Sequence, residues 1–160
     1  MALLLEDGTG VPGADSFVTV AECEAFAEAY FGASLTGSPQ AKESALRRAF
    51  VVMSGLPWKP GVWPTFCGTI PDAVKNAQHV IARVEFQSPG SLSPVFDKSK
   101  AKTLTAVGSI QWTPKASPNT IEAARPAVTM ALDFLNAARG ECWEGGLLEK
   151  SGGVQWLLRG

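Results

Sequence analysis

Residues Gly8-Thr9-Gly10-Val11-Pro12-Gly13 spell G-x-G-x-x-G behind the apolar run Leu3-Leu4-Leu5, the pattern of a turn that can hold a phosphate on backbone N–H groups. That chemistry needs a helix to open within the glycines, so that its free N–H groups and positive dipole end face the anion. The first helix-start signal is instead Thr19, with Glu22 completing a capping box, and five residues separate it from Gly13. Glu6, Asp7 and Asp15 flank the glycines and the first base in the chain is Lys42, so the local charge repels a phosphate. The first helix leads through residues 32–38 into a second helix, leaving no second parallel strand for a nucleotide-binding unit. The block reads as a Gly-rich arm whose turns need positive φ.

Nucleophiles and proton carriers are sparse. His79 is the only histidine, flanked by Gln78 and Asn76 beside an apolar stripe, where it caps a surface or satisfies a core hydrogen bond. A Cys67/His79 dyad is conceivable, but Cys67 follows Trp63-Pro64-Thr65-Phe66, an apolar loop that buries a thiol and leaves it inert. Glu22 and Glu24 lie two apart on a helix and point to different faces, so they form no acid/base pair. Cys23, Cys67 and Cys142 are odd in number, far apart and without a C-x-x-C, which argues against a disulfide framework or a zinc site. With no nucleophile elbow and no P-loop lysine either, the sequence supports no enzyme and calls for no cofactor or metal.

Two groups suit nucleic acid better. Trp58-Lys59-Pro60-Gly61-Val62-Trp63-Pro64 could stack single-stranded bases, and Lys98, Lys100 and Lys102, alternate residues of an extended chain, could meet phosphates. The bland readings are a Pro-braced aromatic loop covering the core and a solvated basic loop.

The elements that must position these groups are mainly helical. One helix follows Thr19, with Val20, Cys23, Phe26, Ala27 and Tyr30 on its apolar face. A second opens at Ser38-Pro39 and runs through Leu46, Ala49, Phe50 and Met53 to Gly55. A third, from Pro71 to about Gln87, sets Val74, Ala77, Ile81 and Val84 inward and Lys75, Gln78, Arg83 and Glu85 outward. A fourth spans about Thr120 to Ala138, with Pro126 delaying or kinking its start. The fold class is therefore mainly α: a small bundle of about four helices with an extended N-terminal arm, a long 88–119 segment containing a short strand or hairpin, and an extended C-terminal tail. As domains this gives an arm at 1–18, a helical domain at 19–140 and a tail at 141–160.

At 160 residues the chain is long enough to bury roughly 70% of its unfolded surface without staples. Residues 1–41 carry six acids and no base, whereas residues 42–160 carry fourteen bases and nine acids. Such asymmetry could align self-complementary surfaces between copies. No secretory signal is evident and no stretch approaches the roughly 20 apolar residues of a membrane span, so a soluble, intracellular protein without a membrane partner is expected.

The block Glu6-Asp7-Gly8-Thr9-Gly10-Val11-Pro12-Gly13-Ala14-Asp15-Ser16-Phe17-Val18-Thr19-Val20-Ala21-Glu22 is similar to the "EDGTGV.GA.SYVS...A" opening of small tailed-phage proteins. Weaker agreement continues through Ala45-Leu46-Arg47-Arg48-Ala49, the Trp/Pro loop, Ile70-Pro71, Val107-Gly108-Ser109-Ile110 and Arg159-Gly160. The family is often labelled DnaT-like single-stranded-DNA-binding, and it also resembles the head–tail connectors, or adaptors, of long-tailed phages. The connector resemblance implies a structural subunit of the virion neck that assembles in the host cytoplasm. It implies a homo-oligomeric ring, commonly dodecameric, held between the portal protein and a stopper or tail-terminator-side neck protein, with duplex DNA passing through unread. On that reading Val154, Trp156, Leu157, Leu158 and Arg159 are interface anchors, and Lys98, Lys100 and Lys102 face DNA or a neighbouring subunit. The alternative is a single-stranded-DNA-binding replication accessory protein using Trp58, Trp63 and the Lys98–Lys102 cluster.

Overall fold

Helix α1 covers Val20–Phe31 and begins where Thr19 and Glu22 satisfy each other's backbone donors. Thr19 Oγ1 accepts from the Glu22 N–H at 3.2 Å, and Glu22 Oε2 accepts from the Thr19 N–H at 2.7 Å. Gly32 stops it in the left-handed region at φ 65°. Helix α2, Pro39–Ser54, opens on the Ser38 side chain with proline at its first position, where a missing N–H costs nothing. Helix α3 is Asp72–Gln87 and helix α4 is Thr129–Ala137. Arg139 Nη1 closes α4 by donating to the carbonyls of Asn136, Ala137 and Ala138 at 2.9–3.2 Å. Among the described residues a 3₁₀ turn, Phe66–Gly68, and an antiparallel pair of two-residue strands, β1 Ala106–Val107 with β2 Ile110–Gln111, complete the elements. The computed structural model describes residues 2–93, 106–107, 110–111, 128–140 and 142–149.

The chain is mainly α, as its periodicities predict. Helix α3 is the hub, packing against α1, α2 and α4. Enclosure on three sides explains a departure from the sequence reading: Gln78 and Glu85, predicted to face outward, are fully buried. Both are satisfied, as buried polar groups must be. Gln78 accepts from the Phe17 N–H at 2.8 Å and donates to Ser16 Oγ and the Leu46 carbonyl at 3.1 Å each. Glu85 accepts from the Gly90 and Leu92 N–H groups at 2.5 and 3.1 Å and lies 2.6 Å from Arg48 Nε, an ion pair without hydrogen-bond alignment.

The glycine-rich front is folded onto this bundle. The Glu6 N–H donates to the Ser16 carbonyl and the Asp15 N–H to the Leu4 carbonyl, each at 2.8 Å, and Phe17 and Val18 enter the core. Arg47 of α2 holds the front from outside through Asp15 at 2.6 Å and the Ala2 carbonyl at 3.0 Å. Gly8, at φ 103°, touches residue 68 so closely that a Cβ would sit 2.6 Å from the Gly68 carbonyl carbon. Only glycine fits there.

Residues 142–149 dock as well. Leu147 and Leu148 are buried. Backbone bonds from Leu147 to Leu135, Glu149 to Pro57 and Lys59 to Leu147, at 2.8–3.1 Å, stitch the segment to α4 and to the loop after α2.

Candidate functional site

The glycine loop is an anion cup, but its anion is its own. Glu6 Oε1 accepts from the N–H groups of Gly8 and Gly10 at 2.9 and 2.8 Å, and Oε2 accepts from Val11 at 2.9 Å. A cleft of about 270 Å³ lies alongside, lined by Glu6, Asp7, Glu22 and Lys75 among others. The Thr9 hydroxyl and N–H hold the Asp7 carboxyl below its ordinary pKa, so two negative charges guard the loop. No phosphate fits where the Glu6 carboxylate sits.

The cysteines correct a second expectation. Cys67 and Cys142 form a disulfide across 75 residues of sequence, with Cα atoms 6.6 Å apart, a span that a disulfide bridges without backbone movement. Cys67 is exposed rather than buried. Spacing along the chain could not show the pairing, because the docking of residues 142–149 brings the two together. The bridge borders an open cleft of about 390 Å³ lined by Phe66, Thr69, Pro71 and Trp143. Cys23 is the free thiol, and burial pushes its pKa up to about 12, so it is no nucleophile at neutral pH.

His79 also differs from expectation. It is buried at 6% exposure, its ring stacks on Phe26 at 4.7 Å, and among the described residues its Nδ1 has no hydrogen-bond partner. Burial pulls its pKa down to about 4 despite the opposing pull of Glu22. It is a neutral packing ring at physiological pH. Among the described residues no three His, Cys, Asp or Glu side chains gather as a metal site, and no helix is long and apolar enough to cross a membrane.

The aromatic rings fall into two clusters with different exposure. Trp58 and Trp63 stack on each other at 5.0 Å and are walled by Phe66, with Phe17 and Phe50 against Trp63. The Trp58 indole N–H donates to the Met53 carbonyl at 2.7 Å. Lys59 donates to the Glu144 carbonyl. This is the Pro-braced loop over the core, and its rings are occupied with one another.

The second cluster centres on Phe26. Tyr30, one helical turn on, stacks on it at 4.1 Å and 18°, and His79 stacks on it at 4.7 Å and 23°. Phe31 and Phe134 present edges to Phe26 at 6.2 and 6.3 Å, and the Arg83 guanidinium lies 3.9 Å over the Phe31 ring. Tyr30 keeps 54% of its surface exposed. The sequence reading placed Tyr30 on the core face. In the structure α1 is leaving the core by its last turn, and the signal that could have shown a ring column is the i, i+4 pair Phe26 and Tyr30 just before the Gly32 stop. The predicted residues Lys98, Lys100, Lys102, Val154, Trp156, Leu157, Leu158 and Arg159 lie outside the described residues.

The family model described as "Putative DnaT-like ssDNA binding protein" matches residues 1–148. The chain belongs to this DnaT-like family. No curated protein and no solved structure matches it. The match overturns the connector reading drawn from the same glycine block, together with its adaptor-ring, neck and portal-binding assignments. The features that suggested a connector were an absent catalytic set, uneven charge and extended arms. A non-enzymatic DNA binder has the same features, so they did not discriminate. The Gly-rich N-terminal arm is folded, from Leu4 to Val18, onto its own core.

Proposed function

We propose that this protein binds single-stranded DNA as a replication accessory factor and performs no covalent chemistry. The observation that carries the reading is the DnaT-like family match over residues 1–148. Two structural features support it. The described histidine and cysteines and the acid of the glycine loop are neutralised or engaged: His79 is buried and neutral, Cys23 is a high-pKa thiol, Cys67 and Cys142 are bridged, and Glu6 is enclosed by its own loop. Against that inert background stand exposed or half-exposed rings beside a guanidinium, which is the equipment of a sequence-tolerant single-strand binder. Lys98, Lys100 and Lys102 would add the phosphate-contacting charge that such binding requires.

The test is anisotropy of a fluorescein-labelled 20-nucleotide thymidine oligomer, and of a duplex of equal length, against the full chain in about 0.15 M salt and in a salt series. Tighter binding to the single strand, weakening as salt rises, is expected. Replacing Lys98, Lys100 and Lys102 together with alanine should flatten the log–log salt slope by about 2, since each single-strand phosphate contact contributes about 0.7. Absence of binding, or equal binding to duplex, overturns the reading.

A further inference from the structure

Among the described residues the large apolar side chains left most open are Val51, Tyr30 and Leu4, at 67%, 54% and 46% exposure. Tyr30 alone of these has a π face, and that face tops a column whose inner members, Phe26 and His79, are buried. One face of Tyr30 is covered by Phe26, so its exposed area lies on the other face and the edge. A phenol held this way has little rotamer freedom left to lose when a flat group settles on it. Phe134 meets Tyr30 edge-on at 6.2 Å and braces it from α4.

The charge around the column suits a nucleotide. Arg83 spends its flat face on Phe31, which leaves its in-plane N–H groups for an anion. Among the described residues no carboxylate lies in ion-pair contact with it, whereas Lys42 and Arg48 each pair with one and Arg47 with two. Glu28 lies two residues before Tyr30, about 200° around the helix, and so points away from the ring. Glu24 is held by Lys42.

We propose that the open face of Tyr30 is a seat for one nucleobase of single-stranded DNA, stacked as the next ring of the Tyr30–Phe26–His79 column, with Arg83 contacting the adjacent phosphate. This rests on the single-strand reading above and adds the place where a base is held. The chain's only tyrosine is Tyr30, so 3-fluorotyrosine labelling of the full chain yields a single ¹⁹F resonance at the site. Addition of the 20-nucleotide thymidine oligomer should shift that resonance, and the duplex should not.

In anisotropy with the same oligomer, Tyr30→Ala should weaken binding about 5- to 150-fold, the range that base–ring stacking supports, without changing the salt slope. Tyr30→Phe, which keeps the ring, should stay within about twofold. Arg83→Ala should weaken binding and flatten the salt slope by about 0.7. If the oligomer binds but the ¹⁹F line does not move, the Tyr30 seat is wrong and the single-strand reading stands. If neither signal responds, both fall. The fluorine readout is made on the otherwise unaltered chain, so it decides the matter even if Tyr30→Ala fails to fold.

Discussion

Opening the Cys67–Cys142 bridge should lower stability without dissolving the fold, and the size of the loss follows from the length of chain the bridge closes. With 75 residues of separation, the chain-entropy relation gives about −15 cal/mol/K for the unfolded state, or about 4.5 kcal/mol at 25 °C. For a chain of this size each kcal/mol moves the melting temperature by about 2–4 °C, so reduction should lower it by roughly 9–18 °C. The fold should survive because Leu147 and Leu148 remain buried and the backbone bonds from Leu147, Lys59 and Glu149 are independent of the sulfurs. The assay is a calorimetric or circular-dichroism melt of air-oxidised protein with and without a phosphine reductant, alongside Cys67→Ser. Cys67→Ser should melt with the reduced protein and be indifferent to reductant. A thiol titration of unfolded, unreduced protein should find one thiol, Cys23. Three titratable thiols, or a melt that reductant leaves unchanged, would refute the reasoning.

Two further outcomes follow from buried groups. Because His79 has a folded pKa of about 4 against an ordinary value of 6.5, the unfolded state binds the extra proton between those limits. Its contribution is therefore complete above pH 6.5 and lost as pH falls toward 4, about 3 kcal/mol in all. Urea midpoints of the natural protein should fall relative to those of His79→Phe over that interval; parallel pH profiles would contradict the buried neutral ring. Glu6→Ala leaves the N–H groups of Gly8, Gly10 and Val11 facing an empty cup, which should cost about 3 kcal/mol. Sulfate should restore part of that loss in the variant more than chloride of equal ionic strength does; equal effects of the two salts would show that the cup does not select anions.

Local signals were readable wherever one element decides its own ends. Thr19 with Glu22 and Ser38 with Pro39 open helices as their side-chain chemistry requires, and the Val74, Ala77, Ile81 stripe lies inside as its period demands. Misreadings arose where a third body intervenes. Gln78 and Glu85 fall on the polar side of α3 by period, yet packing against α1, α2 and α4 encloses these two positions, and hydrogen bonding rather than solvent satisfies both. Tyr30 has the opposite history: its spacing says core, but α1 outlasts the surface it packs against. The candidate site was half legible. An aromatic stacking role could be read from ring content, but Trp58 and Trp63 proved to be each other's partners while the open ring lay on a helix read as core. The Cys67–Cys142 pairing depends on how residues 142–149 dock, which no spacing rule encodes.

The Glu6 carboxylate meets its three N–H donors from within the same chain, two to five residues away. A tethered anion competes with a free one at an effective concentration that no dissolved phosphate reaches. The loop is therefore saturated from the moment the chain folds and blind to the supply of phosphate or nucleotide around it. In this chain the acid two residues ahead of the first glycine closes the turn on itself, and gives it a shape rather than a ligand.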